Sequence, residues 1–376
     1  MGEPIRRARR ARRALAVTAV AAAAAWAAYD LPAAFGAKPA GARADRVRRS
    51  PQFRDGRFRN TVPSSTVPSG PATKMLRDLL FGGQSRRPSR PVPLVAAAPG
   101  PLPRGGLRAT WFGHSSALVE IEGARVLFDP VWGERCSPSR LVGPRRLHPN
   151  PVPLADLPPV DAVVISHDHY DHLDMGTIQA LSDLQSAPFV VPLGVGAHLE
   201  RWGVPPGRIV ELDWAESTTI GPAGAVTLTA AAARHFSGRS FDRDGTLWAS
   251  WVVAGPTRRA FYTGDSGYFD GYAAIGAEHG PFDLTLMQIG AYGEGWPDIH
   301  MTPEQGVAAH LDLRGGLMVP LHWATFTLAF HDWAEPADRT WREAKARGVR
   351  LAVPRPGEPV DVDDPPQVDG WWQDVA

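Results

Sequence analysis

The sequence predicts an α/β protein in which two β-sheets are each covered by helices. Short apolar strands alternate with helices from Leu107 onward, and they fall into two runs. Hydrophobic residues make up 44% and charged residues 21% of the 376 residues, which suits a globular chain and excludes a wholly disordered one. The 37 Pro and 38 Gly show no triplet period, so they indicate many turns and exclude collagen.

The first run begins with three short strands, the second and third joined as a hairpin by Glu122-Gly123-Ala124. Its predicted elements are strands 108–112, 117–121, 125–128 and 161–165, helix 175–184, strand 189–191, helix 195–202 and strand 208–212. The second run contains strands 217–220, 225–230, 247–253 and 260–262, helix 269–279, strand 284–288, helix 303–313, strand 317–320, helix 335–347 and strand 350–353.

The N-terminus is predicted to be a targeting device. Residues 1–60 contain fourteen basic and four acidic residues, so the net charge of +1 leaves an acidic remainder that disfavours a nucleic-acid partner. Six arginines between Arg6 and Arg13 precede the Ala-rich run 14–29, whose helix of roughly 24 Å is short for a bilayer core of about 30 Å. We therefore predict a signal peptide or membrane anchor over 1–37, which would place the protein at a membrane or in the cell envelope. The alternative is a cytoplasmic protein with a basic leader that does not insert.

Residues 38–106 are rich in Pro, Arg, Ser and Gly, and are predicted to be a linker or a segment that wraps the body, with a possible short amphipathic helix over 75–81. The catalytic domain is predicted over 107–360 and a tail over 361–376. Since every predicted strand and candidate ligand lies beyond residue 100, we expect the domain to fold and keep its metal without residues 1–60.

A cluster of metal-ligand residue types follows the apolar strand 161–165. His167, His169, Asp171 and His172 stand in Ser-His-Asp-His-Tyr-Asp-His. Residues i and i+2 of an extended segment point the same way, so the first two histidines are able to chelate one ion. Asp171 and His172 would turn toward a second ion. Imidazole with carboxylate suits Zn²⁺, and the single cysteine, Cys136, excludes a cysteine-based zinc site and an intramolecular disulfide.

Three isolated residues downstream complete a candidate ligand set. His235, Asp265 and His322 each follow an apolar strand, a position typical of active sites in α/β folds. Together with the motif they predict two metal ions per chain.

This arrangement resembles the metallo-β-lactamase superfamily, and within it the N-acyl-phosphatidylethanolamine-hydrolysing phospholipase D family. The resemblance covers roughly residues 107–355. It includes Trp111-Phe-Gly-His-Ser-Ser116, Phe128-Asp-Pro130, Glu211-Leu-Asp-Trp214, Gly264-Asp-Ser-Gly-Tyr268, Ile289-Gly-Ala-Tyr292, His300-Met-Thr-Pro-Glu-Gln305 and Leu321-His-Trp-Ala-Thr-Phe326. The fold implied is a four-layer αββα sandwich that follows an N-terminal leader and linker.

The resemblance also implies the role of each site residue. His167, His169 and His235 would hold one zinc, Asp171, His172 and His322 the second, and Asp265 would bridge both. Tyr170 resembles a substrate-contacting residue of the family. His300 resembles a residue that faces the substrate phosphate or amide, so it is assigned both a catalytic and a substrate-binding role. His114 is left between a place beneath the site and a structural hydrogen bond, and Trp296, Trp323 and Phe326 between an acyl pocket and ordinary packing.

The expected reaction is hydrolysis of a glycerophospholipid phosphodiester by a hydroxide that bridges two zinc ions, with Asp171 orienting or deprotonating the nucleophile. The products would be phosphatidic acid and an N-acylethanolamine or related alcohol. One alternative keeps the metals and changes the substrate to a lactone, a cyclic phosphodiester or another organophosphate. Another is a non-catalytic envelope protein with the same fold. The expected partners are a phospholipid or other phosphodiester and a membrane surface, and the sequence leaves the oligomeric state open.

Overall fold

The computed structural model of the protein describes residues 15–18, 21, 31–65, 82–96, 100, 106–239 and 243–376. The predicted helix 75–81 and most of the predicted leader lie outside the described residues. Among the residues that are described, no helix combines the length and the apolar character needed to cross a membrane.

Two seven-stranded sheets form the centre of the fold. The first sheet contains β3 Leu107–Gly113, β4 Ser116–Ile121, β5 Ala124–Phe128, β6 Ala162–Val164, β7 Phe189–Pro192, β8 Ile209–Leu212 and β16 Pro359–Asp361. The second sheet contains β9 Ser217–Ile220, β10 Val226–Ala231, β11 Ser250–Ala254, β12 Arg259–Tyr262, β13 Phe282–Gln288, β14 Gly315–Leu321 and β15 Arg350–Leu351. The strand order is β16-β3-β4-β5-β6-β7-β8 in the first sheet and β15-β14-β13-β12-β11-β10-β9 in the second.

Each sheet is antiparallel in one half and parallel in the other. Strands β5 to β8 and strands β12 to β15 pair in parallel, whereas the remaining neighbours are antiparallel. Parallel neighbours need a crossover, and helices supply it for every parallel pair except β5 and β6, which are joined by the long loop 129–161 with a 3₁₀ turn at Leu154–Asp156. These helices are α2 Met175–Leu184, α3 Gly196–Arg201, α4 Gly271–His279, α5 Pro303–Asp312 and α6 Glu335–Arg347.

The alternation of side chains along the strands separates the layers. In β5, Val126 and Phe128 belong to the large core between the two sheets, whereas Leu127 faces the core beneath the outer helices. Ile178 of α2 and Leu199 of α3 complete that outer core. The four layers are therefore helix, sheet, sheet and helix, which confirms the predicted αββα architecture.

Most of the predicted elements are found, and the differences have physical causes. The predicted strand 247–253 begins only at Ser250, because the Leu247 and Ala249 amides donate to Leu193 and Ser166 of the other sheet's loops, at 2.8 and 2.9 Å. Strand β16 was not predicted. Its three residues return from the far end of the chain to pair with Arg108–Thr110 at the edge of the first sheet.

The segment before the sheets carries structure that the sequence pattern did not reveal. It contains helix α1 Gly41–Arg49 and the two-strand hairpin of β1 Phe53–Arg54 with β2 Arg57–Phe58. Val47 and Phe58 are buried against Leu193, Leu247 and Trp248 of the body. Residues 31–65, named here the N-terminal strap, therefore pack on the body.

Candidate metal centre

The candidate ligands meet at one edge of the sandwich, because each follows the carboxyl end of a strand. The His167–His172 motif comes after β6, His235 after β10, Asp265 after β12 and His322 after β14. All of them except His169 and Asp171 are almost fully buried. Residues more than 150 positions apart in sequence thus converge on one small volume.

Three imidazoles form the first group, named here the histidine set: His167, His169 and His235. Nδ1 of His169 lies 2.9 Å from Nε2 of His167 and 3.2 Å from Nε2 of His235. Burial is the main reason that the pKa values of all three fall below the usual histidine range. Three neutral ring nitrogens that all lie within 4.8 Å of one another favour a cation between them.

The second group, named here the carboxylate set, contains Asp171, His172 and His322. Oδ2 of Asp171 lies 3.5 Å from Nε2 of His172 and 3.3 Å from Nε2 of His322. His114 joins this group, since its Nε2 lies 2.8 Å from the same oxygen. His114 was predicted either to lie beneath the site or to make a structural hydrogen bond. Both hold, because its hydrogen bond is made to the candidate ligand Asp171.

Asp265 lies between the two sets. Its Oδ2 is 3.0 Å from Nε2 of His322 and 3.1 Å from Nε2 of His172, and 3.9 Å from Nε2 of His167. The predicted bridging position of Asp265 agrees with this geometry, since one carboxylate oxygen is within reach of both groups.

The residues fit a metal centre. Burial would raise the pKa of Asp265, yet His172 and His322 hold it well below the ordinary range, so the carboxylate is ionised. Burial opposes protonation of His322, but Asp265 and Asp171 raise its pKa to about 9. Nε2 of His172, Nε2 of His322 and Oδ1 of Asp265 are buried without a well-aligned hydrogen-bond partner among the described residues. Orphaned ligand atoms around buried negative charge indicate that the group is completed by a cation.

Asp129 orients the carboxylate set and was missed as a functional residue. Its Oδ2 accepts from Nδ1 of His172 at 2.7 Å and from the Tyr262 hydroxyl at 2.7 Å, and its Oδ1 accepts from the Ser166 amide at 2.6 Å. The hydrogen bond from His172 to Asp129 places the ring proton on Nδ1, away from the centre, and turns Nε2 toward the centre. In the sequence, Phe128-Asp-Pro130 stood out only as part of the family resemblance. The signal that could have identified Asp129 is an aspartate directly after an apolar strand.

His300 lies at the border of the centre. Its Nε2 is 3.8 Å from Oδ2 of Asp265, and its Nδ1 is buried without a hydrogen-bond partner among the described residues. Burial lowers the pKa of His300 to about 4, so the ring is neutral near pH 7 and retains one N–H donor. The geometry is compatible with the predicted contact to a substrate oxygen.

Tyr170 lies beside the metal motif, over a buried arginine. Its ring stacks on the Arg239 guanidinium, 4.1 Å from the ring centroid, and its hydroxyl donates to the Arg239 carbonyl. Tyr170 and Arg239 also line a cavity of about 490 Å³ together with Trp132 and Met175. The tyrosine thus lines a cavity whose other walls contain none of the candidate ligands, and its contact with substrate stays a prediction.

The proposed acyl-pocket aromatics have different surroundings. Trp323 is buried in a cluster with Trp111, Trp333 and Trp371, so its role is packing. Phe326 lies between His114 and the Arg146 guanidinium, at 5.2 and 5.4 Å. Phe326 therefore contacts His114, whereas Trp296 donates from Nε1 to the Ala291 carbonyl at 2.8 Å and lies beside Phe330.

Comparison with known proteins identifies the fold family. The family described as the beta-lactamase superfamily domain matches residues 124–323, which hold every candidate ligand. The chain belongs to the metallo-β-lactamase superfamily. It is 52% identical over 353 residues to an uncharacterised protein of Mycobacterium tuberculosis, covering 92% of this chain and 93% of that one.

Two further relatives bear on the activity and the fold. The N-acyl-phosphatidylethanolamine-hydrolyzing phospholipase D 1 of Caenorhabditis elegans is 36% identical over 244 residues, covering 62% of this chain and 68% of that one. The solved structure of Igni18, a metallo hydrolase of the archaeon Ignicoccus hospitalis, aligns with a TM-score of 0.52 at 22% identity, covering 68% and 97%. The latter shows the fold alone. The superfamily, the fold and the ligand groups make this chain a metal-dependent hydrolase.

Proposed function

We propose that the protein hydrolyses the phosphodiester bond of a glycerophospholipid on the head-group side of phosphorus, as an N-acyl-phosphatidylethanolamine phospholipase D does. The observation that carries the proposal is the 36% identity over 244 residues to the Caenorhabditis elegans phospholipase D. Water adds to phosphorus, and the bond from phosphorus to the head-group oxygen breaks. Phosphatidic acid and an N-acylethanolamine or related alcohol leave.

The proposed metal is zinc, with two ions per chain. His167, His169 and His235 would hold one ion, and Asp171, His172 and His322 the other, with Asp265 shared. The bound ions would supply Lewis acidity toward a phosphoryl oxygen and would lower the pKa of water. The mixed nitrogen and carboxylate donors support this choice of metal.

The protein's own groups handle protons and orientation. Asp171 is held by His114 on one side, which leaves its carboxylate as an acceptor that orients the attacking water. His300 presents a neutral ring at the border of the centre, suited to donate to a phosphoryl or amide oxygen of the substrate. Tyr170, in the adjacent cavity wall, is proposed to contact the part of the substrate beyond phosphorus.

A membrane surface is the proposed site of action. The side chains of Leu141 and Val142 are 65% and 68% exposed at the tip of a loop that also carries Arg135 and Arg145. Exposed apolar side chains next to arginines suit the interface of an anionic bilayer. The same loop contains Arg146, which reaches the centre through Phe326. The N-terminal leader is proposed to add a second attachment or an export signal.

The test is turnover of N-acyl-phosphatidylethanolamine vesicles by zinc-loaded protein in ¹⁸O-labelled water. We expect the label in phosphatidic acid and none in the N-acylethanolamine, because attack takes place at phosphorus. The Asp265→Ala variant is the inactive control. Turnover of lactones or water-soluble phosphodiesters with no turnover of any phospholipid would contradict the lipid proposal and favour the alternative substrates.

A further inference from the structure

The N-terminal strap is attached to the body by ionic and apolar contacts. Arg43 of α1 donates to Glu211 at 2.5 Å and to Glu200 at 2.7 Å. Phe58 is buried beside Trp248, and its amide donates to the Asp244 carbonyl at 2.9 Å. Phe58 thereby fixes the position of the chain two residues before Asn60.

Asn60 binds both backbone groups of a candidate metal ligand. Its Oδ1 accepts from the His235 amide at 3.0 Å, and its Nδ2 donates to the His235 carbonyl at 2.8 Å. The same Oδ1 accepts from Nε1 of Trp248 at 3.1 Å, so the amide plane is fixed. A side-chain amide paired with both backbone groups of one residue holds that residue as a neighbouring β-strand would.

The ring of His235 is fixed from another direction. Its Nδ1 donates to the Ile299 carbonyl at 2.9 Å, which leaves Nε2 facing His169 in the histidine set. The side chain is fully buried, so an unmade backbone hydrogen bond here would not be replaced by solvent. The position of Nε2 therefore depends on two supports, Ile299 for the ring and Asn60 for the backbone.

The strap also connects the loop that contains His235 to the loop that leads to His300. Arg234 donates to the Ser64 hydroxyl at 2.9 Å and to the Pro63 carbonyl at 2.8 Å. The Ser65 amide donates to Oδ2 of Asp298 at 2.8 Å, and Asp298 pairs with Arg234 at 2.8 Å. Residues 60–65 thus join the His235 loop to the loop that leads to His300.

We propose that Asn60 is a positioning residue of the metal centre: it sets the backbone of His235, and the N-terminal strap is for that reason a working part of the histidine set. The proposal rests on His235 being a metal ligand and is independent of which substrate is hydrolysed. It replaces the expectation that the domain keeps its metal without residues 1–60.

The test compares zinc affinity in Asn60→Ala with that in the wild type and in Thr61→Ala, an exposed neighbour in the strap. Competition with a chromophoric chelator measures both equivalents of zinc, and circular dichroism checks the fold. We expect one equivalent to bind about 10- to 100-fold more weakly in Asn60→Ala, the range found for groups that orient a ligand. The other equivalent and both equivalents of Thr61→Ala should keep wild-type affinity.

Cobalt substitution provides a readout that a general loss of stability would not produce. The visible absorption bands of one of the two bound Co²⁺ ions should change in Asn60→Ala and stay unchanged in Thr61→Ala. Wild-type zinc affinity and wild-type bands in Asn60→Ala would overturn the proposal. Equal weakening of both equivalents would overturn it as well, because it would indicate a structural role only.

If Asn60→Ala does not fold, Asn60→Asp serves in its place. The aspartate keeps an acceptor for the His235 amide and loses the donor to the His235 carbonyl. Its added negative charge would by itself strengthen cation binding, so weaker binding of one zinc equivalent would support a geometric role. Affinity equal to or above that of the wild type would overturn the proposal. Since both variants are judged by metal binding, failure of the lipid assay leaves this result unaffected.

Discussion

The two ligand sets are supported by different parts of the chain. The carboxylate set is oriented from within the first sheet, where Asp129 follows β5 and accepts from His172. The histidine set depends in part on Asn60, which is 175 residues from His235. The carboxylate set is therefore complete once the sandwich has folded, whereas the histidine set also requires the N-terminal strap to pack on the body. The difference indicates that the strap, which contributes no strand to the two central sheets, supports one side of the proposed metal centre.

The largest effect is expected from removing the ligand that both sets share. Asp265→Ala takes away the carboxylate oxygen within reach of His172, His322 and, more distantly, His167. Bound zinc should fall from two equivalents to less than one, and kcat should drop by more than about 100-fold, beyond the range for groups that only orient ligands. Metal analysis and turnover measure this, with Asp364→Ala, an exposed aspartate, as the control. Two retained equivalents would show that Asp265 is not a shared ligand.

A selective effect on the carboxylate set is expected from Asp129→Asn. The substitution keeps the shape of the side chain and removes the charge that fixes the Nδ1 proton of His172. The second zinc equivalent should bind about 10- to 100-fold more weakly while the histidine set keeps its ion. Chelator competition distinguishes the two equivalents. A loss from the histidine set instead would reverse the assignment of supports.

Sequence reasoning found the candidate ligands that the structure brings together and missed the residues that support them, for a physical reason. His167, His235, Asp265 and His322 follow the carboxyl ends of apolar strands, so each is visible in the local pattern. Asn60 has no such local signal, because its role arises only when the hairpin of β1 and β2 packs beside Trp248. The three-residue strand β16 was invisible for the same reason, since its pairing partner lies about 250 residues earlier.

A smaller effect is expected on the free energy of unfolding in acid, and it comes from a histidine outside the histidine set and the carboxylate set. His310 of α5 is buried, its Nδ1 lies 2.7 Å from the Thr285 hydroxyl, and burial lowers its pKa from the ordinary histidine value of about 6.5 to about 4. The folded state keeps this ring neutral while the unfolded chain takes up a proton below pH 6.5. Stability is therefore lost as the pH falls from 6.5 toward 4, by on the order of 2 kcal/mol at pH 5.

Urea unfolding at pH 7.5 and pH 5 measures this contribution. His310→Gln should lose about 2 kcal/mol less than the wild type between the two pH values. Protonation of the metal ligands affects both proteins alike and cancels in the difference. His279→Gln, at the end of α4, is the matched control and should follow the wild type. An unchanged pH dependence in His310→Gln would show that His310 does not contribute to the acid sensitivity.

The central claim is that two metal ions are held by two sets with separate supports. Anomalous diffraction at the zinc edge, recorded from crystals of the wild type, Asn60→Ala and Asp129→Asn, tests it most directly. The wild type should show two zinc peaks. Asn60→Ala should lose occupancy at the peak among His167, His169 and His235, and Asp129→Asn at the peak beside Asp171, His172 and His322. A single peak in the wild type, or loss of the same peak in both variants, would contradict the account.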